Sequence, residues 1–196
     1  MNTLAFPAMA PPLDSPETPT GVLEAARSGD LEAFEMLMRP HERLVLVTAL
    51  RLLGNLEDAQ DASQEVFLRL YRNLGKLRAS GNLAGWLYRV TVNVCHDVRA
   101  RRPAETPLEE AVELVSPGAD PQQMATRDEE HRALELSLRL LSNKERAAVV
   151  LRDLEGLSTE EVARILGASQ ATVRSQIFQA RIKMKDFVER YFRRRL

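Results

Sequence analysis

The sequence predicts an all-α fold: two small helical domains joined by a flexible acidic linker, the C-terminal one containing a helix-turn-helix. Three observations carry that expectation. Apolar residues recur at three- and four-residue spacing through most of the chain, with no alternating strand pattern of useful length. Ser-x-x-Glu signatures, in which a hydroxyl and a carboxylate can cap the free amides of a first turn, stand at Ser142/Glu145 and Ser158/Glu161. Proline and acidic residues cluster between about 103 and 126, where large apolar residues are sparse.

The elements follow in chain order. Residues 1–21 carry Pro7, Pro11, Pro12, Pro16 and Pro19 and lack both a basic leader and a continuous apolar run, which reads as a disordered tail rather than a signal peptide. Residues 22–102 form the first domain, broken at Arg39-Pro40, Gly54-Asn55 and Gly75 to Gly81. Within it, Ala59, Ala62, Val66, Leu70 and Leu74 mark one helix. Leu83, Trp86, Leu87, Val90, Val94 and Val98 mark the core-like face of the next. Residues 103–126 are the linker, residues 127–190 the second domain and residues 191–196 a basic tail.

The second domain holds the strongest motif. Val162, Ile165 and Leu166 give a short helix its apolar face, Gly167 suits a left-handed turn, and Ser169 can cap a second helix with Val173, Ile177 and Ala180 facing inward. Its outward positions, Thr172, Arg174, Ser175, Gln176, Phe178, Gln179 and Arg181, offer the donors, acceptors and exposed ring that read base edges and grip phosphates in a major groove. Charge follows the motif. Net charge is only −1, yet residues 167–196 hold eight Lys and Arg against two acids, while residues 103–126 hold five acids and no base.

Composition excludes several classes. No apolar run is long enough to span a membrane, so no membrane insertion is expected and a cytoplasmic location is the default. Cys95 has no second cysteine to pair with, and adjacent helical residues point about 100° apart, so Cys95 and His96 make no metal site together. No nucleophile arrangement, phosphate loop or metal motif is present; the sequence predicts no enzyme, no metal and no cofactor. The stripe of Asp58, Asp61 and Glu65, with Gln64 beside it, admits several readings: a metal site, acid-base chemistry, a solvated face, or a docking face for a basic partner. Trp86 suits either the core or base stacking, and the loop Lys76 to Asn82 with the polar side of the following helix would suit single-stranded nucleic acid.

Read in order, Glu57 to Tyr71, Gly85 to Val94, the Pro-rich acidic linker, Leu151 to Leu166 and Thr172 to Ser175 resemble the extracytoplasmic-function branch of the bacterial sigma-70 family. The resemblance covers about residues 22–190 and implies a promoter-specificity subunit that binds core RNA polymerase, captures a melted −10 element with its first domain and reads a −35 element with its second. It implies polymerase docking through Asp58, Asp61, Gln64 and Glu65, and −10 contacts through Lys76, Arg78, Asn82, Arg89 and Asn93. It further implies −35 contacts through the seven outward residues from Thr172 to Arg181. The implied partners are the clamp helices of the largest polymerase subunit, the flap of the second-largest, promoter DNA and an anti-sigma factor. Gln176 and Gln179 stand where many relatives carry Arg, and since Gln pairs with adenine while Arg prefers guanine, a shifted −35 preference is expected. The competing class is a free-standing helix-turn-helix regulator binding operators as a dimer, although no sustained heptad supports a dimer interface.

Overall fold

A computed structural model describes residues 20–77, 82–101 and 122–193, and among them every regular element is helical. The first region comprises α1 (Thr20–Arg27), α2 (Leu31–Met38), α3 (Glu42–Leu53), α4 (Leu56–Asn73) and α5 (Leu83–Arg101). The second comprises α6 (Gln122–Arg139), α7 (Asn143–Val149), a π turn at Val150–Leu154, α8 (Thr159–Leu166) and α9 (Gln170–Arg193). The linker read from the sequence lies outside the described residues up to 121; α6 begins at Gln122, inside that stretch. At the other end α9 runs past residue 190 to Arg193, with Tyr191 buried rather than part of a tail.

Local chemistry sets the helix ends. Asn55 Oδ1 accepts from Asp58 N at 2.8 Å to start α4, and Glu57 and Asp58 complement the positive end of that helix. Both Ser-x-x-Glu boxes form: Ser142 and Glu145 close the start of α7, Ser158 and Glu161 that of α8. Gly167 ends α8 in the left-handed region at φ 62°, where a side chain would be strained, and so makes the turn into α9.

Helices α3, α4 and α5 pack around Val45, Ala49, Val66, Leu70, Leu87 and Val94, all buried. Truncating such a residue, for instance Leu70→Ala, typically costs about 2–5 kcal/mol. A second cluster joins Leu151, Leu157, Val162, Val173 and Ile177 under the turn between α8 and α9, and it takes in Tyr88 from α5. A third, smaller cluster holds Ala133 and Leu136 of α6 against Phe187 and Tyr191 of α9. Tyr88 in the second cluster shows that the regions are not separate bodies: α5 packs on α8, and α3 on the π turn and α6.

Candidate nucleic-acid interface

The start of α9 turns its inner side, Val173, Ile177 and Ala180, into the core and leaves Thr172, Arg174, Ser175, Phe178 and Gln179 exposed. Phe178 is 61% exposed, a ring held out in water with no apolar partner from the core clusters. Ser169 Oγ accepts from Thr172 N at 3.1 Å and lies 2.8 Å from its hydroxyl, so Thr172 is partly committed to the cap. Arg174 donates to Gln170 Oε1 at 3.1 Å, a neutral partner that leaves its charge uncompensated.

Two of the seven outward positions behave differently. Arg181 forks onto Asp153, with Nε 2.9 Å from Oδ2 and Nη2 2.6 Å from Oδ1, and the carboxylate's hydrogen bond raises the guanidinium pKa. Gln176 is half-buried, its Oε1 shielded from solvent and without a described partner, because it faces the first region across a cleft.

On α4 the carboxylate stripe divides. Asp58 is half-buried and accepts from the Asn55 amide; Glu65 accepts from Arg69 Nε at 2.7 Å. Asp61 and Gln64 are exposed without a hydrogen-bond or ion-pair partner among the described residues, and Glu57 shares that condition. The exposed line continues at four- and three-residue steps through Leu68 and Tyr71, which sequence reasoning did not single out. Their signal was present: Leu68 and Tyr71 lie four and seven residues beyond Gln64, on the same side of the helix. Among the described residues no group of His, Cys, Asp or Glu could hold a metal ion.

Of the residues assigned to single-stranded DNA, two lie on one side of α5. Arg89 and Asn93 are exposed one turn apart, and His96 extends the row. Asn82 caps the helix, its Oδ1 accepting from Gly85 N at 2.7 Å; a Cβ on Gly85 would lie 3.2 Å from Asn82 Cγ, so glycine suits the cap. Lys76 is exposed at the end of a short 3₁₀ turn, and Arg78 lies outside the described residues. Trp86 is half-buried against the first core, which supports a packing role. Burial pushes the Cys95 thiol up to about 12, which keeps it protonated and unreactive, and His96 lies at the surface.

A helix-turn-helix whose second helix exposes a polar face, beside a helical region carrying an exposed polar and apolar row on α4, defines the class of a DNA-binding transcription protein. Comparison with known proteins makes the class specific. Models of sigma-70 region 2 and sigma-70 region 4 match residues 37–104 and 131–184. The chain is 34% identical to the ECF RNA polymerase sigma factor SigE of Mycolicibacterium smegmatis over 181 residues, 89% of this chain and 70% of the relative. It is 31% identical to the ECF RNA polymerase sigma-E factor of Escherichia coli over 183 residues, 88% of this chain and 95% of the relative. A solved structure of CnrH in complex with the cytosolic domain of CnrY superposes with a TM-score of 0.63 at 25% identity, covering 88% of this chain and 97% of that one. The sigma factor RpoE of Bartonella quintana, solved with the anti-sigma factor NepR, has the same fold, with a TM-score of 0.63 at 21% identity over 81% of this chain and 98% of that one.

The chain belongs to the extracytoplasmic-function group of the sigma-70 family. It is a sigma factor that directs promoter-specific transcription initiation rather than a free-standing regulator. No described helix is long and apolar enough to cross a membrane.

Proposed function

We propose a division of that activity among particular residues. The first region, taken as residues 22–102, docks on the clamp helices of the largest polymerase subunit through α4. Asp61 and Gln64 make the contacts, and Asp58 and Glu65 shape the stripe from its half-buried side. The same region captures the −10 element through Lys76, Arg78, Asn82, Arg89 and Asn93, with Asn82 acting through the cap it makes on α5. The second region, residues 127–190, reads the −35 element through Arg174, Ser175, Phe178 and Gln179 and rests on the flap of the second-largest subunit. Thr172, whose hydroxyl is shared with the Ser169 cap, and the half-buried Gln176 join this row, while Arg181 braces α9 against Asp153. The protein works in the cytoplasm by binding alone, and an anti-sigma factor restrains it.

The observation that carries the reading is the exposed, uncompensated row Arg174, Ser175, Phe178 and Gln179, set opposite the buried Val173, Ile177 and Ala180. Such a small footprint binds duplex weakly by itself. Mounting both modules on polymerase makes the second contact intramolecular and raises its effective concentration. Melting costs a few kcal/mol per unstacked step and is offset by pocketing the displaced base. The test is transcription by bacterial core polymerase, with and without this protein, on templates randomised at the −35 and −10 elements. Protein-dependent transcripts with two conserved sequence blocks are expected. Loss of −35 selection in a variant with Arg174, Phe178 and Gln179 all changed to Ala would support the assignment, and retention of the wild-type selection would overturn it.

A further inference from the structure

Helix α1 and nearly all of α2 precede the residues that match sigma-70 region 2, which begin at 37. None of the residues assigned above to polymerase or DNA lies in them, yet both helices are built firmly onto the end of α4. Leu23 and Ala26 of α1 are buried in the first core together with Leu37 and Leu74, and Leu77 packs against the same core. Gly29 turns the chain at φ 91°, and Asp30 Oδ1 opens α2 by accepting from Glu32 N at 2.9 Å and Ala33 N at 3.1 Å. From α2, Phe34 sets its ring edge-on to Tyr71 of α4, with centroids 5.2 Å apart and planes at 77°.

The last residue of α1, Arg27, spends its whole guanidinium at this contact. Nε donates to the Leu74 carbonyl at 3.1 Å, Nη2 donates to the Leu77 carbonyl, and Nη1 pairs with Glu24 of the same helix. Leu74 opens the 3₁₀ turn Leu74–Lys76 that follows α4, and Leu77 N closes the turn on the Leu74 carbonyl at 3.2 Å. The final carbonyls of a helix have no partner of their own, and the negative end of its dipole favours a cation there. One charge nearby would meet that need. A planar fork does more: bonded to two carbonyls three residues apart, it fixes the peptides between them relative to α1.

Lys76 lies between those carbonyls with its side chain exposed. A Cβ on the adjacent Gly75 would meet nothing within 4 Å, so packing does not restrain the turn on that side. The orientation of the turn therefore depends on the fork. Lysine is a point charge on a flexible stem, and where its ammonium can reach is set by the backbone that carries it. A cation that meets a single-strand phosphate adds about 0.7 to the salt slope of binding, and a cation aimed elsewhere adds nothing. The far end of the same connection is held independently, by the Asn82 cap on Gly85 N at 2.7 Å.

We propose that Arg27 is a positioning residue for capture of the melted −10 strand: by holding the Leu74 and Leu77 carbonyls it aims Lys76 at the backbone of that strand. The inference rests on the assignment of Lys76 made above. It gives the helices ahead of the region 2 match a part in promoter recognition, exerted through the end of α4 and without a DNA contact of their own.

The test uses holoenzyme assembled from core polymerase and the full chain, binding a single strand that carries the −10 sequence selected in the transcription assay, over a range of salt concentrations. Wild type is compared with Arg27→Ala, Arg27→Lys, Lys76→Ala and the double variant Arg27→Ala with Lys76→Ala, with circular dichroism to establish folding. Arg27→Ala and Lys76→Ala are each expected to weaken strand binding about threefold or more and to lower the salt slope by about 0.7. The double variant is expected to lose no more than either single one, because both remove the same contact. Arg27→Lys keeps the charge at the helix end but presents no fork, so it is expected to behave like Arg27→Ala, and it decides the matter should the alanine variant fail to fold. A helix cap alone would lower thermal stability and leave the salt slope at its wild-type value. A wild-type slope in a natively folded Arg27 variant, or additive losses in the double variant, would overturn the proposal. Lys76→Ala separates this from the reading beneath it: a reduced slope there with a wild-type slope in the Arg27 variants defeats only the role of Arg27. A wild-type slope in Lys76→Ala defeats the assignment of Lys76, and the aiming role falls with it.

Discussion

The outward faces of the two regions use charge in opposite ways. On α4, Glu57, Asp61 and Gln64 stand in solvent with no described partner, next to exposed Leu68 and Tyr71. On α9 and its neighbours the charges are largely spent inside the molecule: Arg181 on Asp153, Lys183 on Glu145 at 2.7 Å, Lys185 near Glu189. An exposed, unpaired polar row interleaved with apolar side chains is what a protein interface desolvates and pairs. A helix whose cations are braced internally keeps a rigid scaffold and leaves Arg174, Ser175, Phe178 and Gln179 as the outward residues proposed to read the −35 element. The basic excess of the C-terminal segment therefore overstates the number of charges facing DNA.

The sharpest way to break this contrast is to reverse one charge in the unpaired row. Asp61→Arg removes no internal contact, so the fold stays intact, while a like charge meets whatever basic surface the stripe docks on. Loss of core-polymerase binding by about a hundredfold or more, a cost of about 3 kcal/mol, is expected. Titration of labelled core polymerase, with circular dichroism as the control, measures it. Unchanged affinity in a natively folded variant would remove the docking role from α4.

Much of this was legible beforehand, and the part that was not has a physical reason. Local periodicity and capping are short-range, so the helices around Val66 and Val94 and the boxes at Ser142 and Ser158 could be read directly from the sequence. The pairing of Arg181 with Asp153 joins residues 28 apart in sequence, and the bond of Glu155 to Thr48 joins residues 107 apart. No spacing rule reaches that far. Tyr88 falls outside the apolar face read for α5, yet it is buried, since it joins the cluster under the turn between α8 and α9. Arg78 and residues 103–121 of the linker lie outside the described residues, so their expected roles rest on the family resemblance.

A smaller effect tests base reading. If Gln179 contacts a base edge, Gln179→Arg is expected to shift selection at one −35 position from adenine toward guanine, a change of about 1–3 kcal/mol. It should also steepen the salt dependence if the new cation meets a phosphate. Selection from a randomised −35 library at two salt concentrations reports both. Identical selected bases and salt slope would take Gln179 out of the interface.

Capping should separate the regions by stability. Ser158→Ala is expected to cost about 1 kcal/mol by removing the cap of the helix-turn-helix, read by thermal or urea unfolding. Hydrogen bonds from the Ser158 side chain and backbone hold the Glu161 carboxyl below the ordinary glutamate range. Its folded pKa thus lies below its unfolded value, so the stabilisation is present above the unfolded pKa and lost as pH falls through the folded one. The wild type should lose stability on acidification more steeply than Glu161→Gln, in the range just below the usual glutamate pKa of 4.5.

The smallest effect is the most discriminating for α9. Arg181 is bidentate on Asp153 but its side chain is 58% exposed, so solvent weakens the pair and its removal should cost no more than about 1 kcal/mol of stability. A brace and a phosphate contact then predict different things for Arg181→Ala. As a brace, the residue can be lost with no change in the slope of log affinity for the −35 duplex against log salt. As a phosphate contact, its loss would lower that slope by about one. Asp153→Ala sharpens the choice, because it frees the guanidinium from its carboxylate. An unchanged slope in Arg181→Ala together with a steeper one in Asp153→Ala would mean that the carboxylate keeps a DNA-competent cation occupied, and that the second region trades charge for rigidity.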